Sequence, residues 1–202
     1  MDVHKLNIVL LPDDATRTEA LARARMLPPE LRDAYRLGNQ AEPHLTLYQA
    51  AFAEASVPDL ARLVTGFGEE FRAPAVTFDF CRSYRGFLFW MTSTADKPAL
   101  VSLQERVIAS AVRWWTPTSV PHGLTDDEAR HWRACGYHLV GESFLPHITL
   151  GKFESDDKAL SAAFAIPLGA WRATLGTLAL ATVGESGQAS TILASCPLKK
   201  GS

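Results

Sequence analysis

Two short stretches of this chain could carry acid–base chemistry: Pro43-His44-Leu45-Thr46-Leu47 and Pro146-His147-Ile148-Thr149-Leu150. In an extended strand alternate side chains share a face, so His44 and Thr46 point one way while Leu45 and Leu47 point into the core. The same rule places His147 and Thr149 together, opposite Ile148 and Leu150. An imidazole titrates near neutrality, with an ordinary pKa of about 6.5, so one such group can accept a proton while another donates one. A threonine hydroxyl beside each imidazole can donate a hydrogen bond to a non-bridging phosphoryl oxygen as charge builds there. If the two pairs face one another, they hold what phosphodiester cleavage needs. A base for the attacking water or hydroxyl, an acid for the leaving alkoxide and donors for the phosphoryl group are then all present, and no metal is required.

The elements around the motifs form a repeat. A buried strand is expected at Leu6–Leu11, stopped by Pro12, and a helix from Thr16 to Leu27 ends before Pro28-Pro29. The first copy runs from about His44 to Met91. It comprises a strand from His44 to Phe52, a helix from Pro58 to Phe71, and strands at Val76–Phe80 and Phe87–Met91 joined through Arg85-Gly86. The second copy runs from about His147 to Leu193. It comprises a strand to Phe153, a helix from Asp156 to Ala165, and strands at Trp171–Val183 and Ser190–Leu193 around a turn at Gly184 to Gly187. Between the copies an amphipathic helix from about Pro98 to Trp115 is followed by a stretch from Thr116 to Phe144 that belongs to neither. Within that stretch Thr125 and Glu128 form a capping-box pattern ahead of a short helix ending near Gly136. The stretch reads as an insertion, either a flap over the cleft or a surface excursion. The expectation is a single α+β domain over residues 1–202, with two pseudo-symmetric lobes, antiparallel sheets forming a central cleft and helices on the outer faces.

The duplicated, hydrophobically flanked His-x-Thr resembles the signature of the two-histidine (2H) phosphoesterases, among them RNA 2′,3′-cyclic phosphodiesterases and 2′,5′ RNA ligase-like proteins. The resemblance covers the layout of nearly the whole chain, while close identity is confined to the motifs. It implies a two-lobed α+β fold with His44, Thr46, His147 and Thr149 as catalytic residues in a central groove. The activity it implies is metal-independent hydrolysis of a nucleoside or RNA-terminal 2′,3′-cyclic phosphate. Two alternatives remain open: 2′,5′ RNA ligation or transesterification by the same residues, and nucleotide or RNA binding without turnover.

Composition narrows the partner. With 20 Lys+Arg against 22 Asp+Glu the formal charge is −2, without the basic excess that proteins gripping long nucleic acid usually carry. A small nucleotide or an RNA end is the expected substrate rather than a long duplex, and a monomer is expected. Cys81, Cys135 and Cys196 offer neither a C-x-x-C pair nor an even disulfide set, so reduced thiols in a cytoplasmic protein are expected. No stretch approaches the roughly 18 apolar residues of a membrane span, and no nucleotide-binding glycine loop is present, so no cofactor is expected.

For substrate contacts, Tyr48 continues the His44–Thr46 face and Phe153 continues the His147–Thr149 face. Phe87, Phe89 and Trp90 form an aromatic strand read chiefly as core, from which Trp90 is carried as a possible base-stacking contact. Alternation places Lys152 on the face away from His147. His131, Cys135 and His138 read as a helix terminus rather than a metal site, His122 as a solvated loop residue, and Arg82 and Arg85 as solvated.

Overall fold

Strand β1 (Val3–Leu11) is apolar on both faces, because Leu6, Ile8, Val9 and Leu10 are all at or below 1% exposure. Such a strand belongs in the interior of a sheet rather than at its edge. In the computed structural model, which describes residues 2–28, 37, 41–167, 169–185 and 187–200, it lies there. β1 pairs antiparallel with β2 (Leu45–Ala53) on one side and with β7 (Thr177–Val183) on the other, and β7 pairs with β8 (Ala189–Pro197). The order of this first sheet is β2-β1-β7-β8. The second sheet, also antiparallel, runs β5-β4-β3-β6, built from β3 (Ala75–Tyr84), β4 (Phe87–Thr92), β5 (His147–Lys152) and β6 (Trp171–Thr174).

The motif strands therefore take equivalent edge positions, β2 in one sheet and β5 in the other. Each sheet draws on both halves of the sequence, since β7 and β8 join β2 while β3 and β4 join β5. One expected element divides. Trp171–Val183, read as a single strand, breaks at Leu175-Gly176, so that β6 closes the second sheet and β7 enters the first. Leu175 is fully buried at the break, with its amide bonded to the Pro74 carbonyl, which anchors the crossing between sheets.

The helices are α1 (Asp14–Met26), α2 (Val57–Phe67), α3 (Lys97–Ala111), α4 (Asp126–Cys135) and α5 (Asp156–Ala163). α1 packs on β5 and β6, α5 on β3 and β4, α2 on β7 and β8, and α3 on β2. Their starts are chemically marked. Asp13 caps α1 by accepting from the Thr16 amide, and its other oxygen accepts from Thr174, tying the helix to β6. Pro58 stands at the start of α2, and the capping box of Thr125 and Glu128 is formed at α4. The β3–β4 turn consists of Arg85 (φ 53°) and Gly86 (φ 79°), the left-handed pair that a two-residue hairpin requires. A Cβ on Gly86 would also stand 2.4 Å from the Phe153 carbonyl oxygen. Ser186, inside the expected Gly184–Gly187 turn, and Pro29, beyond the expected end of α1, lie outside the described residues.

Leu45, Leu47, Ile148 and Leu150, the apolar members of the two motifs, are all at or below 1% exposure. Each such side chain contributes about 1.5–3 kcal/mol by burial. A slip of one residue in either motif strand would turn these groups outward, so their burial fixes which face carries the histidines.

Candidate active site

His44, immediately before β2, and His147, the first residue of β5, line one open cavity of about 340 Å³, and Thr46 and Thr149 line it with them. Each imidazole is held by the same bond. His44 Nδ1 lies 2.7 Å from the carbonyl oxygen of Glu42, and His147 Nδ1 meets the carbonyl of Leu145, in each case two residues earlier. A carbonyl only accepts, so Nδ1 carries the proton in both rings. Nε2 is thereby left to accept or donate in the cavity.

Burial lowers the pKa of both histidines. His44 is 7% exposed and lies below the ordinary value through desolvation, partly offset by its bond to Glu42 and by the Glu42 charge. His147 is pushed down to about 4 by desolvation, opposed by the Leu145 carbonyl and reinforced by the charge of His44. That last cause means the two imidazoles feel each other: protonating one disfavours protonating its partner. Phe89 of β4 lies flat against His147, with ring centroids 3.5 Å apart and planes at 15°. The ring orientation is thus fixed by a carbonyl at one edge and an aromatic face.

Beyond the threonines the strands depart from simple alternation. On β2 the pairing with β1 jumps from Thr46↔Val9 to Tyr48↔Ile8, leaving Leu47 as an extra residue. On β5 the pairing with β4 jumps from Thr149↔Phe89 to Gly151↔Leu88, leaving Leu150 as the extra residue. A β-bulge of this kind inserts one residue and reverses the facing of the residues after it. Both bulges fall three residues after the histidine.

The expected substrate contacts change accordingly. Tyr48 turns away from the cavity and is fully buried; its hydroxyl donates to the Cys135 carbonyl at 2.6 Å, and its ring meets Tyr137. Phe153 turns inward likewise, at 2% exposure. Trp90 is fully buried because it shares the core face of β4 opposite Ile148, with the Arg23 guanidinium 4.3 Å from its ring centroid. In their place the bulges present Gln49 and Lys152 to the cavity, and β4 presents Phe87 and Phe89. Lys152, expected on the far face, was hidden by the assumption of unbroken alternation. The pairing of Phe89 with Thr149 and not with the core residue Ile148 is what selects it over Trp90.

The 116–144 stretch supplies a further wall through Tyr137, His138 and Leu139. It is fastened to the β3–β4 turn by a polar cluster. Buried Glu128 accepts from the Tyr84 hydroxyl at 2.7 Å and from the Thr125 amide at 2.9 Å. Arg85 is exposed, as expected, and from the surface it donates to the Gly123 carbonyl at 2.7 Å and approaches Glu128 at 3.5 Å. Gly136 ends α4 at φ 73°, with the Trp115 ring packed where a Cβ would stand. His138 is pushed down to about 4 by burial, despite the nearby Glu128 charge.

Among the described residues no cluster of three or more His, Cys, Asp or Glu side chains is placed to hold a metal ion. Cys135 directs its sulfur at the carbonyls of His131 and Tyr137. His122 is exposed and lies outside the cavity. No described helix is long and apolar enough to cross a membrane.

The sequence profile of the 2′-5′ RNA ligase superfamily matches residues 12–186, which takes in both His-x-Thr motifs and the wall between them. The chain belongs to that superfamily, the 2H phosphoesterases. Solved structures agree on the fold. TT0787 of Thermus thermophilus is 15% identical and covers 98% of this chain and 100% of its own, with a TM-score of 0.61. E. coli LigT in a complex with 3′-AMP is 17% identical, covering 98% and 99%, with a TM-score of 0.61. LigT in its apo form is 16% identical over the same shares, with a TM-score of 0.59. No curated protein sequence matches the chain. As a 2H phosphoesterase, the chain places its two motif strands at corresponding sheet edges around one cavity.

Proposed function

We propose that this 2H phosphoesterase hydrolyses a cyclic phosphodiester, a nucleoside or RNA-terminal 2′,3′-cyclic phosphate, through His44 and His147. The observation that carries the reading is the paired arrangement of the imidazoles, each with Nδ1 bonded to the carbonyl two residues earlier, in one cavity. Neutral Nε2 of one ring takes the proton of the attacking water as its oxygen bonds to phosphorus. Protonated Nε2 of the other gives its proton to the ribose oxygen as the phosphorus–oxygen bond breaks. Mutual repulsion favours a single proton on the pair, the state in which one ring is acid and the other base. An anionic substrate stabilises that proton when it binds. Thr46 and Thr149 donate to the non-bridging oxygens, Lys152 adds positive charge beside them, and Phe87 and Phe89 offer apolar faces to the nucleoside.

LigT has been solved with 3′-AMP and with phosphate. Those ligands support a nucleotide-sized occupant here, as does a cavity of about 340 Å³, within the range of small-molecule sites. The test is a turnover screen of 2′,3′-cyclic nucleotides, RNA ending in a 2′,3′-cyclic phosphate and 2′,5′-linked oligomers, with His44→Ala as control. Hydrolysis of the cyclic phosphates that depends on His44 supports the proposal. Joining or cleavage of 2′,5′-linked RNA alone would move the reading to transesterification, with a ribose hydroxyl in place of water. Binding of every ligand without turnover would make the chain a nucleotide-binding module.

A further inference from the structure

The two motif threonines have different neighbours. On β1, Asn7 is fully buried within an otherwise apolar run, and its amide Nδ2 donates to Thr46 Oγ1 at 3.1 Å. A polar side chain at that depth is costly unless it has a partner, and Thr46 is the partner it has. Its own Oδ1 meets no partner among the described residues. The reverse orientation would leave both N–H groups of the amide unpaired, whereas this one leaves its carbonyl and one N–H, and an unpaired buried N–H is the rarer of the two. On the second sheet the corresponding place belongs to Phe87, which pairs with Lys152 as Asn7 pairs with Gln49. Phe87 has nothing to donate, and among the described residues no side chain donates such a bond to Thr149.

An amide N–H can only donate, so the Asn7 bond occupies a lone pair of Thr46 Oγ1 and leaves its O–H to be spent elsewhere. Among the described residues nothing accepts from that hydroxyl, while the cavity lies in front of it. We infer that Asn7 is a positioning residue: by donating to Thr46 it turns the Thr46 O–H toward the phosphoryl oxygen, making Thr46 an oriented donor where Thr149 is a freely rotating one. The inference rests on the reading above that Thr46 meets a phosphoryl group. Asn7 itself does not touch substrate, and its whole effect passes through one hydroxyl.

The test is a double-mutant cycle read on kcat/KM for a 2′,3′-cyclic nucleotide and on the dissociation constant of inorganic phosphate. Asn7→Leu, which keeps the branching of the side chain and removes the donor, should weaken both by about tenfold, the loss of one well-directed hydrogen bond to a charged oxygen. In a Thr46→Val background the same change should alter neither by more than about twofold, whereas in a Thr149→Val background the full loss should persist. A general structural role would lower both backgrounds alike, and that result would overturn the inference. Should Asn7→Leu not fold, the side-chain amide resonance of Asn7 serves in the unmutated position. It should shift on phosphate titration in the wild type and stay still in Thr46→Val; a shift in both overturns the inference. Wild-type protein that binds phosphate but turns over no cyclic phosphate refutes the proposed hydrolysis, and the phosphate cycle still decides the role of Asn7.

Discussion

Gln49 and Lys152 occupy one position twice: each stands five residues after its histidine, just past a bulge, and faces the same cavity. Only one is charged. The Gln49 amide donates to the Gly187 carbonyl at 3.1 Å and so holds the β7–β8 turn at the cavity rim. The Lys152 ammonium lies 5.5 Å from the Phe87 ring centroid. The approximate symmetry of the site is thus broken on the His147 side by a cation.

Lys152→Ala should raise KM for a cyclic nucleotide and weaken phosphate binding by about tenfold, the scale of one charge-assisted contact. Gln49→Ala should change either by less than about threefold, because its amide is engaged with backbone rather than with phosphate. Steady-state kinetics and phosphate titration check the contrast. Equal losses from the two variants would contradict the asymmetry.

Burial of the histidines fixes the sign of two pH effects. Without ligand both motif imidazoles lie below the ordinary value, His147 at about 4. The singly protonated pair is therefore most populated below about pH 6.5, and kcat/KM should peak there. The profile of kcat should lie at higher pH, since bound phosphate favours the imidazolium.

Stability runs the opposite way with pH. His138 and His147, both held at about 4 when folded, regain their ordinary value near 6.5 when the chain unfolds. Between those values the unfolded chain binds more protons, so the stability from keeping these rings neutral is complete above about pH 6.5 and lost as pH falls toward 4. Each unit of separation corresponds to about 1.4 kcal/mol. Urea unfolding between pH 7.5 and 5 should show a shallower decline in His138→Gln than in the wild type; identical slopes would count against the buried neutral state of His138.

Tyr84 and Glu128 join the inserted stretch to the β3–β4 turn. Tyr84→Phe removes the 2.7 Å bond but leaves Glu128 with Thr125 and Arg85. A loss of about 1–2 kcal/mol is expected, the usual cost of one buried hydrogen bond. The opening should be local, so hydrogen exchange should speed up in α4 before it does in β4. Unchanged exchange across α4 would show that the cluster does not hold the wall in place.

How much of this was legible in the residues depended on distance from each histidine. His and Thr two apart share a strand face regardless of the residues beyond them, so the motif pairs could be read directly. The α4 cap and the Arg85-Gly86 turn were equally plain, because capping and left-handed turns are set by local chemistry. Past Leu47 and Leu150 the bulges reverse the facing, and nothing local announces them, since Leu-Tyr and Leu-Gly are ordinary strand sequence. That is why Tyr48 and Phe153 moved inward while Gln49 and Lys152 emerged. The division of Trp171–Val183 was hidden for a related reason: Leu175 is as apolar as its neighbours, and only the sheets it bridges make it a crossing point. Asn7 was lost inside an apolar run, where its value lies wholly in a partner 39 residues away.

If His44 and His147 act as one acid–base unit, kcat/KM for a 2′,3′-cyclic nucleotide in the two single alanine variants and the double variant will show it. Each single change should cost about 10²–10⁴-fold, with the fold retained by circular dichroism. The double change should cost little more than the worse single one, because groups that act together are not additive. A His147→Ala protein that turns over at the wild-type rate, or losses that simply multiply in the double variant, would mean that the two rings do not work as a pair.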